Sequence, residues 1–564
     1  IFLKLKFKMK KTLFLSLVLI LISCVKEVET PKAAVVSARI EASKIGIEIL
    51  KKGGNAFDAM IATNFALAVC FPNAGNISGG GFMVYRKKNG ETGSIDYREM
   101  APIKAFEKMY QNELGDVIPD KSTKGGLAVG VPGTIAGLFE IHRRFGTIPM
   151  KDLIKPSIDL ALNGFIVTAG QESSLDAKRA DFIELNGKNT FYANEFKKGD
   201  TIKNKAFADA LILISEKGEE AFYKGDIAKS IVEEVKESGG IIGLEDLAAY
   251  KPKWRKPISF KYKNLNVFSM APPSSGGICL AQMLKMIEKY PIKDFGYKSE
   301  KTIQLMIEAE RRSYADRSKF LGDPDFINIP IDTLINEKYL LNRMKDFTFS
   351  KATSSSKINP GEIVSWNESE ETTHFSIIDQ FGNAVSITTT LNASYGSKVY
   401  VEKFGFFLNN EMDDFSSKPG TQNMFGLIGG KANSIEPGKR MLSSMTPTII
   451  EKDGSLYMIL GTPGGSTIIT SVFQVILNAY EFGMNIQDAV NFPRFHHQWI
   501  PEKVEFEKER FENKTIENLQ IKGYDVKSDY IREIGRVDAI MISDTGIISA
   551  GADPRGDDAA AFIY

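Results

Sequence analysis

Cysteine is scarce in this chain of 564 residues: Cys24, Cys70 and Cys279 are the only three, with no CxxC pair and no framework of spacings. That speaks against a disulfide-stapled module and against a thiolate metal site, and it leaves Cys70 and Cys279 as small buried apolar residues. Histidine is nearly as rare, with His142, His374, His496 and His497 and no HExxH, so a zinc hydrolase is disfavoured. The chain also has no GxSxG elbow, no strand-GxGxxG-helix unit, no Walker A motif and no internal repeat. These absences argue against a Ser-His-Asp α/β-hydrolase, a Rossmann fold and a solenoid. Nor is there an excess of either charge. Lys+Arg and Asp+Glu number 71 and 70, a formal charge of +1, which suggests neither nucleic-acid binding nor an acidic interaction tail and makes a small-molecule substrate the default.

What is present is enough apolar sequence for a real core, 43 % of the chain, and an address at the start. From Met9, "MKKTLFLSLVLILISC" places two lysines before an apolar run, Leu13 to Ile22, that is too short to span a bilayer. Residues 1–23 therefore read as a secretory signal. Leu21-Ile22-Ser23-Cys24 is similar to the bacterial lipobox, in which the cysteine is lipidated and becomes the first mature residue. The expectation is an exported bacterial lipoprotein, periplasmic or at the cell surface, anchored to the membrane through Cys24. Residues 1–8 precede the only plausible start methionine and read as a gene-model artefact.

Helical apolar spacing covers 33–52 and 55–70, with Gly53-Gly54 as cap and restart. Strand-like alternation then begins around "SGGGFMVYRKKNGETGSIDYREMAP", turning at Asn89-Gly90. The span from about 135 to 345 reads as mostly helical, with a strongly amphipathic stretch from Thr302 to Leu321. "SKATSSSKINPGEIVSWNESEE" is polar and poorly anchored, the best candidate for an exposed break. Beyond it, "TTHFSIID", "NAVSITTTL", "TPTIIEKDGSLYMILG" and "VDAIMISDTGIISAG" read as hairpin strands, with one long helix from about Thr467 to Phe482.

Acyl transfer needs a nucleophile, a base and an oxyanion site. Without a GxSxG serine, an economical alternative is an N-terminal Thr, Ser or Cys whose own α-amine takes the hydroxyl proton. Such an amine titrates at about 7.7–8.0, whereas an internal amide cannot act as a base. An enzyme of this kind must be cut just before its nucleophile, and Thr372, where the polar run meets a strand, is where that cut would fall. A run of threonines also simply suits strands.

"TTHFSIIDQFGNAVSITTTLN" resembles the start of the small subunit of γ-glutamyltransferases, also called glutathione hydrolases, of the N-terminal-nucleophile superfamily. "GGNAFDAMIAT", "GVPGTIAG", "YADRSKFLGDPDF", "LNNEMDDFS", "LSSMTPTII", "GTPGGSTIIT", "PRFHHQW" and "ADPRGDDAA" resemble further signatures in the family's order. The resemblance implies an α+β fold, a four-layer αββα sandwich of two antiparallel sheets flanked by helices. It also implies autocleavage between Glu371 and Thr372 into a large subunit, 24–371, and a small one, 372–564.

Carried over position by position, the resemblance makes Thr372 the nucleophile and Thr390 its hydrogen-bonding partner, with Thr388 and Thr389 as strand residues. Arg98 matches the guanidinium for the substrate α-carboxylate, a group suited to bidentate binding, with Ser443 and Ser444 adding hydroxyl donors. Asn392, Glu411 and Asp414 match the ammonium-binding positions; the acidic triplet lacks the spacing of an EF-hand loop. Gly464-Gly465, at a strand-to-helix junction, match the oxyanion amides, though such a pair is also a common packing turn. Residues 418–430 resemble a lid loop, with Phe425 at the gating aromatic. Gly79-Gly80-Gly81 and His496-His497 read as structural. The implied reaction cleaves the γ-glutamyl amide of glutathione and related compounds and passes the group to water, amino acids or peptides, with no metal or organic cofactor. The rivals are a cephalosporin acylase acting on glutaryl amides, and a surface lipoprotein that binds γ-glutamyl compounds or a partner without turnover.

Overall fold

The computed structural model describes residues 29–358, 372–507, 510–530 and 533–564. The leader, Cys24 and Glu371 lie outside the described residues. Two all-antiparallel sheets face each other. The first has seven strands in the spatial order Ala559–Ile563, Ala33–Ser37, Thr373–Ile378, Ala384–Thr390, Gly80–Arg86, Thr92–Asp96, Lys253–Arg255. The second has six, in the order Ile548–Gly551, Asp538–Ile542, Ser455–Gly461, Thr448–Lys452, Leu265–Ser269, Ile258–Tyr262.

Strand alternation divides each sheet's side chains between two cores. Val36 and Val84 of the first sheet meet Ile449, Ile459 and Ile540 of the second in the layer between them. Val35, Met83, Phe375 and Ile387 point the other way, into a core shared with the helices Ile40–Lys51 and Ala56–Cys70. Leu460 and Ala539 face the helices Gly276–Ile287, Glu300–Phe320 and Thr467–Tyr480. The result is the expected helix-sheet-sheet-helix sandwich. Cys70 and Cys279 are buried free thiols in these outer cores, as expected.

The local signals explain most boundaries. Gly53 takes φ +91° and closes the first helix, and Asn55 with Asp58 forms a capping box that starts the next. Asp453-Gly454 takes φ +51° and +83° between paired strands, a two-residue hairpin turn. Two expectations need correction. Residues 33–37 form a strand, and the helix begins only at Ile40; a short apolar run carrying two valines is ambiguous in sequence, and here it lies between two strands of the central sheet. The middle of the chain is mostly helical, as expected, and also contributes the strands Lys253–Arg255, Ile258–Tyr262 and Leu265–Ser269. The Glu300–Phe320 helix is buried on every side from Thr302 to Ser318 and so is not an amphipathic surface helix. Several of its charges are paired, Arg312 with Glu308 and Asp346 and Asp316 with Arg343.

The glycine run is structural for a steric reason. A Cβ on Gly79 would lie 2.0 Å from the Thr390 carbonyl oxygen, and one on Gly81 2.5 Å from that of Thr388. Gly79→Ala is expected to push on the Thr390 end of the strand and cost about 1–3 kcal/mol of stability, seen as a lower midpoint in denaturant unfolding; an unchanged midpoint would show that this strand end yields freely.

Candidate active site

Thr372 directly precedes the Thr373–Ile378 strand, and the pairing of Thr373 with Thr389 brings Thr390 alongside it. The two hydroxyls are 3.4 Å apart. Thr390 Oγ1 also accepts the Asn392 backbone N–H at 2.7 Å, which turns the chain out of the strand through a left-handed Asn392, φ +75°. The neighbouring threonines are occupied elsewhere: Thr389 Oγ1 donates to the Gly80 carbonyl and Thr388 Oγ1 bonds His374 Nδ1. His374 bridges Thr388 and Ser376, and burial pushes its pKa down to about 3. It is therefore a neutral strut behind the nucleophile strand, without basic character near neutrality.

A small pocket opens beside Thr372. Thr390, Asn392, Arg98, Glu411, Asp414, Ser443, Ser444, Phe425 and Gly465 all line it. Of the described residues assigned from sequence, only Gly464 is outside that lining. Arg98 has no solvent exposure; its guanidinium bonds the Glu411 and Asp414 carboxylates and reaches the Met441 carbonyl at 3.3 Å. The cation and anions expected to read opposite ends of an α-amino acid are therefore in direct contact. Two charged groups on one carbon require such adjacency.

Two residues here escaped sequence reading. Glu99 is fully buried, 3.5 Å from Arg98 Nη1. Arg317, also buried, donates to Ser444 Oγ at 3.2 Å and to Ser275 Oγ at 2.9 Å. Both lie inside quoted motifs, "DYREMAP" and "YADRSKFLGDPDF", but neither is marked there by type or spacing. Burial holds Glu99 well above the usual carboxylate range, pushes Glu411 up to about 7 and raises Asp414, each opposed by the Arg98 charge. Three carboxyls around one guanidinium in a dry site cannot all ionise. The Glu411 charge adds to the upward shift of Glu99.

Gly464 and Gly465 follow the Ser455–Gly461 strand, with φ +131° and +51°. Their carbonyls turn into the helix, accepting from Thr467 N and Ile468 N, an orientation that leaves amide N–H groups pointing away from the helix start. A Cβ on Gly465 would sit 2.3 Å from the Phe425 ring. That ring is buried, and its loop is latched by Asn423 Nδ2 on Asp414 at 3.0 Å and by the Met424 N–H on Asp413 at 2.9 Å. His496 and His497 line no part of the pocket; His496 bonds Thr470 and Gln498.

Comparison with known proteins finds relatives over most of the chain. The family model described as gamma-glutamyltranspeptidase matches residues 42–563. A glutathione hydrolase proenzyme of Escherichia coli (strain K12) is 43 % identical over 535 residues, 94 % of this chain and 92 % of that protein. One from Pseudomonas sp. (strain A14) is 45 % identical over 477 residues, 84 % of this chain and 83 % of that protein. Among solved structures, a cephalosporin acylase from Bacillus halodurans superposes with a TM-score of 0.83 at 25 % identity, covering 95 % of this chain and 96 % of that one. A Helicobacter pylori gamma-glutamyltranspeptidase chain has a TM-score of 0.57 at 40 % identity, covering 60 % of this chain and 96 % of its own.

Removing Arg98 would leave its carboxyls unmatched. Arg98→Met is expected to cost about 3–5 kcal/mol at pH 8 and clearly less at pH 5, because carboxyls whose folded pKa is raised by burial lose stability as pH climbs through that value. Thermal unfolding at the two pH values tests this. Equal losses would show that these carboxyls do not titrate between the two pH values.

Proposed function

The chain belongs to the γ-glutamyltranspeptidase family, and from that premise we propose how its own residues carry out the reaction. It is an enzyme, a glutathione hydrolase and γ-glutamyl acyltransferase with an N-terminal nucleophile. The observation that carries our reading is that one small pocket holds both the Thr372 hydroxyl and the Arg98/Glu411/Asp414 charge pair. A nucleophile is thus set beside groups that recognise a free α-amino acid head.

Maturation begins with attack of Thr372 Oγ1 on the Glu371 carbonyl carbon. The peptide bond to the Thr372 nitrogen breaks, an ester forms, and water hydrolyses it to a Glu371 carboxylate and a free Thr372 amine. The products are a large subunit, 24–371, and a small subunit, 372–564. In turnover the amine accepts the hydroxyl proton as Oγ1 attacks the γ-glutamyl amide, then returns it to the departing amine. Thr390 orients the hydroxyl. The amides of Gly464 and Gly465 receive the developing oxyanion, an interaction commonly worth about 10²–10³-fold in rate per donor. Water or an acceptor amine then attacks the γ-glutamyl ester and releases Thr372.

Within the pocket, Arg98, Ser443 and Ser444 hold the α-carboxylate, while Asn392, Glu411 and Asp414 hold the α-ammonium. Asp414 also anchors the lid through Asn423, so the group that receives the ammonium is tied to the loop carrying Phe425. A glutaryl amide, the substrate of the cephalosporin acylase reading, has no α-ammonium and would leave Glu411 and Asp414 unanswered. Export with a lipid on Cys24 remains part of the proposal on the strength of the leader sequence.

Intact mass of protein made without its leader is expected to give two chains divided at Glu371/Thr372, with Thr372→Ala remaining whole and inactive; a wild type that stays uncut on long incubation would remove the amine base and with it this mechanism. Turnover of γ-glutamyl anilide is expected to exceed that of glutaryl anilide by about 10- to 100-fold, the scale of one lost charge-assisted contact. Comparable rates would favour the acylase reading.

A further inference from the structure

Two guanidinium groups reach the wall of the glutamyl pocket, and carboxylates answer only one of them. Arg98 bonds Glu411 and Asp414 and stands 3.5 Å from Glu99. Arg317, near the end of the Glu300–Phe320 helix and 4 % exposed, forms no ion pair among the described residues. Its side-chain contacts are hydroxyls, Ser275 Oγ at 2.9 Å from Nε and Ser444 Oγ at 3.2 Å from Nη2. A buried guanidinium without an anion is costly to keep. Burial pulls its pKa below the ordinary arginine value, with Asp414 opposing that fall and the Arg98 charge adding to it. Two cations that repel each other beside one small pocket mark a place for an anion brought by the substrate.

The serines between Arg317 and the pocket are oriented to receive it. A hydroxyl has one proton to give, and its oxygen can accept. Ser444 Oγ accepts from Arg317, and Ser443 Oγ accepts the Met445 backbone N–H at 3.1 Å. Neither hydroxyl donates to a described residue, and both serines line the pocket, so their protons are left to point into it. The backbone of the pair is fixed from the same side. The Ser443 carbonyl accepts from Ser275 N at 2.8 Å and from Ser275 Oγ at 2.7 Å, and the Ser443 N–H donates to the Pro273 carbonyl at 2.9 Å. Arg317 thus holds Ser275, and through it Ser443, with Nε, and Ser444 with Nη2. The planar guanidinium can do both at once, whereas an ammonium presents a single point of charge.

We propose that Arg317 is a positioning residue for the substrate α-carboxylate: through Ser444 and Ser275 it turns the two serine hydroxyls toward that group, and its unpaired charge makes the pocket select acyl groups that carry one. The proposal deepens the γ-glutamyl reading and rests on it. Arg98 takes part in the same recognition, but its charge is already matched by Glu411 and Asp414.

The test compares two anilides on matured protein. 4-Aminobutyryl anilide is the γ-glutamyl compound without its α-carboxylate, the ammonium retained. In the wild type, kcat/KM should favour γ-glutamyl anilide by about 100-fold, the scale of two charge-assisted contacts. In Arg317→Met, which leaves no ion-pair partner unmatched, that ratio should fall about tenfold, mainly through KM for γ-glutamyl anilide, with Arg317→Lys between the two. Ser444→Ala should lower the ratio by a similar factor, and the double variant no further than either single one, because both act through one contact. A strut without a part in recognition would slow both anilides together, or add its effect to that of Ser444→Ala; either result overturns the proposal. An unchanged ratio in Ser444→Ala overturns it as well, and does not depend on an Arg317 variant folding. Failure of the underlying reading is distinguishable, because the wild type itself would then release no aniline from γ-glutamyl anilide or treat the two anilides alike, and this proposal would fall with it.

Discussion

A guanidinium without solvent exposure, held between carboxylates, is the constraint around which the site is arranged. Arg98 follows the Thr92–Asp96 strand, yet every partner of its side chain except Glu99 comes from the 411–442 stretch. Losing one partner of such a buried pair costs far more than the pair contributes net. The loop Glu411–Asp414 and the segment entering Ser443 are therefore held in one position relative to the first sheet. The lid inherits that position through Asn423 and Met424.

The sheet carrying the nucleophile joins distant parts of the chain in the same way. The Thr373–Ile378 strand pairs on one side with Ala33–Ser37 and on the other with Ala384–Thr390. The Ala559–Ile563 strand closes over Ala33–Ser37. Segments before and after residue 372 thus alternate within one hydrogen-bonded ladder and one pair of cores. A chain divided there would keep its two parts interleaved, since separation would expose strand edges and both outer hydrophobic cores. The arrangement lets a new terminus form at the centre of a sheet without loss of the sheet.

Small residues do much of the remaining positioning. Gly79 and Gly81 allow the Gly80–Arg86 strand to lie close against the threonine strand, and Gly465 allows the Phe425 ring to rest on the candidate oxyanion turn. His374, neutral and buried, fills the space behind the nucleophile strand and satisfies Thr388 and Ser376. A neutral imidazole in that place suits a mechanism whose base is an amine.

Much of this was legible in the sequence. Turn chemistry at Gly53, Asn89-Gly90 and Asp453-Gly454, the strand periods after Thr372 and the long helix after Gly465 follow from local backbone preferences. Those preferences act over a few residues and leave their mark in residue types. The described positions assigned to the site were also readable from motifs, and all but Gly464 line one pocket. Only the tertiary structure decided that Ala33–Ser37 is a strand, because its valines find their hydrogen-bonding partners more than three hundred residues away. Only the fold placed Glu99 and Arg317 beside the pocket and buried the Glu300–Phe320 helix with its charges. The reason is common to all of these: burial, desolvation and charge pairing between remote segments depend on where the chain passes itself, and no local pattern of residues encodes that.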